Sequence, residues 1–338
     1  MPLLIPTSLA AFIHAFGDEA ACRVALERLR WPDGFRCPAC GGDSAWERPG
    51  REIWVCRTCR HDTYLTAGSA LHQSKVPLPI WFLAAHLVAT TPGLNSITFA
   101  RQAALSRQGT AWLLLAKMRR AMAGALDAPL LDTVEADETW FGGPQAGVRG
   151  QQRAGRKALL VLVLAEARSE GRARMLRLPD NGKVTLTARI AKRVEAGATI
   201  RTDGWKGYNG LVPAGFIHDR RPHPPGGMKI GSPHATPYAD QAISAAKRWI
   251  LATYNKPPRE HLDAYLAEWC FRREFRDPAT ATEMLLRHLI TVEPSTRTSM
   301  ASGADLHAVP HTPSHTPSRA KKKVPILDNN RNPAIVVP

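Results

Sequence analysis

Asp137, Asp203 and Asp240 are the residues whose type and setting suit catalysis. Asp137 lies in Thr133-Val134-Glu135-Ala136-Asp137-Glu138-Thr139-Trp140-Phe141-Gly142-Gly143, a short β-branched run that turns acidic and closes on a glycine pair. Side chains alternate between the faces of a strand, so Val134 and Ala136 are expected on one face and Glu135 and Asp137 on the other. Asp203 ends a second such run, Ala198-Thr199-Ile200-Arg201-Thr202-Asp203-Gly204-Trp205. Asp240 follows Pro237 and opens a helical stretch from Gln241 to Thr253. Hard divalent cations such as Mg2+ or Mn2+ take carboxylate oxygens and leave positions for water and substrate phosphate. Three carboxylates can hold two such ions, roughly 3.5–4 Å apart, the arrangement that serves in-line displacement at phosphorus. A lone acid at a strand end is more often a solvated turn residue, so the reading needs all three together.

The cysteines form the second set. Cys37-Pro38-Ala39-Cys40 and Cys56-Arg57-Thr58-Cys59 are two C-x2-C knuckles separated by fifteen residues, a zinc-site spacing. Each tight turn aims two thiolates at one tetrahedral ion, and four protein ligands leave no open position, so a single Zn2+ here is structural. Two disulfides would suit an oxidising compartment instead. Arg36, Arg51, Arg57 and Arg60 surround the knuckles and either touch phosphate or form a solvated face. Cys22 and Cys270 stand alone and read as small buried hydrophobes.

Charge points to the partner. Lys and Arg number 45 against 29 Asp and Glu, a formal charge of +16 with a pI near 10.1. Such a balance favours a polyanion such as nucleic acid. The longest apolar run, Ala158 to Ala165, has strand length and falls far short of the roughly 18 residues a membrane span needs. Met1-Pro2-Leu3-Leu4-Ile5 has no basic flank of the secretory kind. A cytoplasmic protein without membrane partners is therefore expected.

The elements that must position these groups fall into five segments. Residues 1–34 form a helical lead-in, with Phe12, Phe16, Cys22, Val24, Leu26 and Leu29 on one or two amphipathic helices. Residues 35–72 hold the zinc ribbon, and 73–128 are helical. There, Pro77 and Pro79 precede a helix that Pro92-Gly93 ends, and helices from Ser96 to Ala104 and Arg107 to Met122 flank a short turn, with Ser106 as N-cap. This resembles a helix-turn-helix, whose second helix would offer Arg107, Gln108 and Thr110 to base edges while Trp112, Leu115 and Ala116 face inward. A plain helical hairpin between domains fits the same pattern.

Residues 129–291 change period: strands at 133–137, 158–166 and 172–178, a helix at 183–196, a strand at 198–203, a short helix at 205–211 and a strand at 216–221. That order predicts an α/β fold, a mixed sheet with flanking helices. A loop carrying Arg149, Arg153, Arg156 and Lys157 follows the first acid, where it could grip phosphate. Lys247 and Arg248 lie on the helix that Asp240 opens and are expected to add DNA contacts, while 259–276 reads as a core-packed helix. His218, His223 and His234 read as loop bystanders. Residues 292–338, rich in Ser, Thr, Pro and His with Lys321 to Lys323, form a basic tail expected to be disordered.

Taken in order, these pieces resemble bacterial insertion-sequence transposases of the ISXO-like group. The likeness runs from Leu29-Arg30-Trp31-Pro32-Asp33-Gly34 and the knuckles through Asp137-Glu138-Thr139, Thr202-Asp203-Gly204-Trp205 with Gly207-Tyr208, and Lys247-Arg248-Trp249. It closes on His261-Leu262, Tyr265-Leu266, Glu268 and Phe271-Arg272. The resemblance implies a ribonuclease H-like DDE domain behind the zinc ribbon, with Asp137 and Asp203 as the first two metal carboxylates. It further implies double-stranded DNA, both element ends and target, as partner, two Mg2+ or Mn2+ ions, and a homodimer or larger assembly. Its third acidic position falls on Asp240, where relatives are expected to carry Glu or His, and aspartate is one methylene shorter than glutamate. A DNA-binding regulator with a silent sheet domain and a metal-dependent nuclease that does not join strands are the competing classes.

Overall fold

The computed structural model describes residues 3–48, 53–142, 158–222, 235–254 and 259–302. The chain opens on α1 (Leu9–Phe16) and α2 (Glu19–Arg30), started by Ser8 and Asp18, whose side chains accept from Ala11 N and Ala21 N. Phe12, Phe16, Cys22, Leu26 and Leu29 turn inward as expected. Val24 does not; it is 44% exposed. Strands β1 (Ala45–Arg48), β2 (Ile53–Cys56) and β3 (Asp62–Tyr64) then make an antiparallel ribbon.

Helix α3 (Leu78–Thr90) has proline in its first turn, where no backbone donor is lost. Helix α4 (Ser96–Gln102) is capped by Asn95, whose side chain accepts from Ile97 N and Thr98 N. Helix α5 (Gln108–Gly124) starts after Arg107, which takes the cap position expected of Ser106. Of the three residues expected to face inward on α5, only Leu115 is buried; Trp112 and Ala116 are half-exposed. Trp112 instead lies against the His261 ring, 5.7 Å between centroids.

The sheet follows: β4 (Thr133–Phe141), β5 (Leu159–Glu166), β6 (Ala173–Leu178), α6 (Lys183–Ala191), β7 (Thr199–Thr202), a 3-10 turn at Lys206–Gly210 and β8 (Ile217–Arg220). Spatial order is β6-β5-β4-β7-β8. The first three strands pair antiparallel, while β7 runs parallel to both β4 and β8. This is the mixed sheet that the strand order predicts, in the ribonuclease H-like form that the resemblance implies. Helix α6 stops at Ala191, short of the expected 196, because Val194 turns to bridge Leu130.

Helix α7 (Pro237–Tyr254) starts four residues before Gln241, where the sequence pattern begins it, so Asp240 lies inside its first turn. A 3-10 turn (Arg259–His261), α8 (Leu262–Glu274), α9 (Pro278–Thr291) and α10 (Arg297–Ser302) complete the described chain. Helix α9 was not legible as a separate element, and α10 falls within the segment expected to be disordered. The rest of that tail, 303–338, lies outside the described residues.

Two cores cover the sheet. Strand β5 alternates Leu160, Leu162 and Leu164 with Val161, Val163 and Ala165, and both sets are buried. An unbroken apolar run is the signature of a strand covered on both faces. The even residues join Val134 and Ala136 against Leu186, Ile190, Tyr208 and Leu211. The odd ones meet Ala239, Ala242, Ala246 and Ile250 of α7, in a core that continues into α3, α5, α8 and α9.

Buried charge ties the helices to the sheet. Arg119 of α5 donates to Glu268 Oε2 (2.8 Å) and to Tyr254 Oη (3.1 Å), while Arg272 reaches Glu268 Oε1 and the Thr91 carbonyl. Arg174 donates to the carbonyls of Leu126 and Ala128, and Arg172 to that of Pro129, fixing the link between α5 and β4. Among the described residues no helix is long and apolar enough to cross a membrane.

Candidate functional site

The cysteine cluster is built from two matched turns. Cys37 N donates to Gly42 O and Gly41 N to Cys37 O; Cys56 N donates to His61 O and Arg60 N to Cys56 O. Both turns pass through left-handed backbone, at Gly41 (φ 73°) and Arg60 (φ 60°). Gly42 is packed tightly here, since a Cβ would stand 3.0 Å from Thr58 Oγ1 and in contact with the sulfurs of Cys40 and Cys56. Cys37 Sγ and Cys59 Sγ are 3.6 Å apart, as are Cys40 Sγ and Cys56 Sγ. Zn–S bonds of about 2.3 Å in a tetrahedron set sulfurs about 3.8 Å apart. All four sulfurs lie within 4.8 Å of one another, so the donor set and its spacing fit one structural zinc.

The acid site is assembled from three separate elements. Parallel pairing sets Thr133 beside Thr199, Val134 beside Ile200 and Glu135 beside Arg201. Carried two residues further, past the end of the pairing, that register would align Asp137 with Asp203, and both carboxylates lie near enough to raise the pKa of Glu138 and Tyr208. Strand β7 ends at Thr202, and Gly204 (φ 88°) turns the chain sharply just after the aspartate. Asp203 Oδ1 accepts from Trp205 N (2.9 Å), and Asp137 Oδ1 from Glu138 N (2.8 Å).

Glu135 places the third element. It is fully buried and its Oε2 accepts from Tyr238 N (2.6 Å) and Ala239 N (3.0 Å), capping α7 where unpaired donors and the helix dipole favour a negative charge. Its Oε1 accepts from Arg201, which also reaches Asp219. Farther along α7, Lys247 Nζ donates to Thr139 Oγ1 (2.6 Å) and lies over the Phe141 ring. Burial lowers the Lys247 pKa and the charge of Asp137 opposes that fall. Asp240 stands two turns before Lys247, on the same edge of the helix. The structure thus gives Lys247 an inward position, facing the acids, while Arg248 is exposed.

Glu138 approaches the acids from the other face of β4. Burial first, then the charges of Asp137 and Asp203, push its carboxyl up to about 7, against the pull of the Tyr208 hydroxyl. Carboxylate oxygens are the donor type that hard divalent cations take, and Glu138 Oε1 is buried with no hydrogen-bond partner. The three aspartates do not match the tight grouping of the cysteines, which are, among the described residues, the one group of three or more ligating side chains within 4.8 Å. Two ions roughly 3.5–4 Å apart call for a wider set than one tetrahedral ion does. His218 supports the turn from β8, its Nε2 2.9 Å from Thr202 Oγ1, which accepts from Gly204 N.

The residues expected at DNA divide. Arg107 is exposed at the start of α5, Thr110 is half-exposed, and Gln108 Nε2 donates to Ser96 Oγ (2.7 Å), joining α5 to α4. Arg297 of α10 lies against the same first turn, 3.3 Å from where a Cβ on Gly109 would be. Arg153, Arg156 and Lys157, with Arg51, Arg149, His223 and His234, lie outside the described residues. Sequence reasoning missed the helix-capping part of Glu135, the inward turn of Lys247 and the meeting of Tyr208 with Glu138. The proximity of Glu135 to Asp137 in the strand was the available clue to the first.

Comparison with known proteins agrees with this architecture. Residues 129–274 match the ISXO2-like transposase domain and residues 17–62 the transposase zinc-ribbon domain, together more than half of the chain. The protein belongs to this family of insertion-sequence transposases, a zinc ribbon joined to a DDE domain. A relative from Halobacterium salinarum, named as an uncharacterized protein in transposable element ISH50, is 28% identical over 290 residues, covering 79% of this chain and 95% of the relative. No solved structure matches.

Proposed function

We propose that this protein cuts the ends of an insertion sequence and joins the freed 3′-hydroxyl to target DNA. The observation that carries the reading is the parallel pairing of β4 with β7, whose register from Thr133–Thr199 to Glu135–Arg201 leads toward Asp137 in mid-β4 and Asp203 just past the end of β7. Glu135 caps the start of α7, and Asp240, in the first turn of that helix, is taken as the third carboxylate. Asp137, Asp203 and Asp240 are the carboxylates that would hold two Mg2+ or Mn2+ ions. Bound there, such ions supply activation of the attacking oxygen and stabilisation of the leaving one.

In the first reaction a water oxygen attacks phosphorus at the element end, and the bond to the 3′ oxygen breaks. In the second, that 3′-hydroxyl attacks a target phosphodiester and displaces another 3′ oxygen, so bonds made and broken balance and no enzyme-linked intermediate is needed. Lys247, held by Thr139 beside Asp137, puts positive charge where a scissile phosphate would lie. The segments divide the work: the ribbon at 35–72 and helices at 73–128 grip DNA, with Arg107, Gln108 and Thr110 toward the bases, and 129–291 carries the chemistry. Arg153, Arg156, Lys157 and Arg248 add phosphate contacts, as does the basic tail at 292–338. Paired ends call for a homodimer or larger assembly.

The test is cleavage of element-end DNA with Mg2+ or Mn2+, wild type against Asp137→Ala, Asp203→Ala and Asp240→Ala. Each variant is expected to lose at least about a hundredfold in rate, the scale of removing one group that stabilises transition-state charge, while still binding the ends. An active Asp240→Ala would displace Asp240 from the ligand set. Wild type that binds but never cuts would point to a regulator, and cutting without joining to a nuclease.

A further inference from the structure

The motif that follows β7 holds one residue that the proposed chemistry does not use. Trp205 is 42% exposed, two residues after Asp203. A single exposed apolar side chain is ordinary, so exposure alone decides nothing. What sets this ring apart is that it is held in place. Trp205 N donates to Asp203 Oδ1 (2.9 Å), and the indole Nε1 donates to the Asn181 carbonyl (3.3 Å). A Cβ on Gly207 would stand 2.5 Å from that same Nε1, so glycine there makes room for the indole. The backbone before the ring turns at Gly204 (φ 88°), whose carbonyl accepts from Arg220 of β8 (3.0 Å). With its one polar atom engaged within the chain, the indole offers solvent only apolar π surface.

Cations from three elements surround this turn. Lys206 is next in the chain, Arg220 reaches in from β8, and Lys183 of α6 lays its stem along the 3-10 turn, since a Cβ on Gly210 would stand 3.1 Å from Lys183 Cγ. All three are exposed. The acid before α6, Asp180, is engaged by Gly182 N (2.8 Å) and Thr185 Oγ1 (3.1 Å). A fixed aromatic ring among cations is an arrangement that holds single-stranded nucleic acid, because the cations follow the phosphates while the ring stacks on a base. In a duplex the bases already stack on one another, so an indole meets a base face only where that base has left the stack.

We propose that Trp205 stacks on an unpaired base of the DNA strand being cut, with Lys183, Lys206 and Arg220 on its phosphates. Asp203 and Trp205 share one turn and a hydrogen bond, so the base that is gripped belongs to a nucleotide close to the scissile phosphate. Holding that base outside the duplex frees the strand to bend toward the acid. This rests on Asp203 acting on DNA, but the experiment needs no cutting, so the two statements fail separately.

The measurement is fluorescence anisotropy of a labelled oligothymidylate of about ten nucleotides, bound to the full, zinc-loaded chain without Mg2+ or Mn2+. A second oligomer of equal length, abasic throughout, keeps the phosphates and lacks the bases. Wild type is compared with Trp205→Ala, Trp205→Phe and Lys206→Ala, and zinc content and melting temperature confirm that each is folded. Trp205→Ala is expected to weaken oligothymidylate about tenfold, within the range for removing one stacking platform, and to leave the abasic oligomer unchanged. Trp205→Phe keeps a ring and should lose less, and it carries the comparison if the alanine variant is unstable. Lys206→Ala should weaken both oligomers alike. Unchanged oligothymidylate binding in Trp205→Ala overturns the proposal, and so does an equal loss on both oligomers, which would make the ring a backbone contact. Wild type that binds neither oligomer overturns it as well. Wild type that shows the stacking but never cuts element ends overturns the proposed function alone.

Discussion

The cysteine cluster draws its ligands from two neighbouring turns of one small ribbon, whereas the acids proposed to act together come from the middle of β4, the turn after β7 and the first turn of α7. In the ribbon, backbone bonds local to each knuckle fix the sulfurs, and all four already lie within 4.8 Å of one another. At the acid site nothing local suffices. Asp137 and Asp203 are related only through the parallel pairing of β4 with β7, and the helix that carries Asp240, the proposed third acid, is capped by a buried glutamate. One site is written in its spacing; the other is a product of the whole fold.

That contrast can be broken by removing the zinc. The ribbon strands are three or four residues long, too short to hold together on their own, and metal binding supplies their folding free energy. Stripping the metal, or Cys56→Ser, is expected to abolish amide protection at Val55 and Cys56. Leu162 and Val163 in the sheet should stay protected. Loss of protection throughout would show that the ribbon is not a separate metal-dependent element.

A second change sharpens the distributed half of the comparison. Glu268 is buried beneath Arg119, Tyr254 and Arg272, so Glu268→Ala strands buried positive charge, a loss of about 3–5 kcal/mol. Urea denaturation should show that fall, with zinc content unchanged. A change below 1 kcal/mol would mean that the network is solvated and does not tie α5 and α8 together.

A smaller effect should appear with pH. Burial raises the Glu166 pKa, but hydrogen bonds from Arg172, Arg168 and Leu131 N outweigh it, and the net value falls to about 2. A carboxyl depressed on folding stabilises above its unfolded pKa, and that contribution is lost as pH falls through the folded value. Glu166, which pins the start of β4 through Leu131, should thus stabilise the sheet fully above about pH 4.5 and lose that contribution toward pH 2. Glu166→Gln should be less stable than wild type at pH 6 and approach it at pH 2. Parallel stability curves for the two would remove Glu166 from this role.

What was legible in the sequence follows the same division. The knuckles and the β5 run announce themselves, because spacing and unbroken burial are local properties. Asp203 is visible as a strand end before glycine, whereas Asp137, expected at a strand end, lies mid-strand because β4 runs on to Phe141; the alternation of Val134 and Ala136 against Glu135 holds in the fold. The meeting of Glu138 with Tyr208 is not visible, since a sheet register and a tight turn at Gly207 create it. Lys247 read as a surface cation because helical spacing alone does not say which edge of α7 Thr139 and Asp137 occupy. Trp112 read as core because its period suits burial, yet it is half-exposed beside the His261 ring.

The most direct measurement supplies a pre-cut element end with its 3′-hydroxyl already free, plus supercoiled target DNA and Mg2+ or Mn2+. If β4, β7 and α7 form one phosphoryl-transfer centre, wild type will join that end to the target, and Asp137→Ala, Asp203→Ala and Asp240→Ala will bind it without joining. Joining that persists in Asp137→Ala or Asp203→Ala, or wild type that binds the pre-cut end and never joins it, would contradict the account.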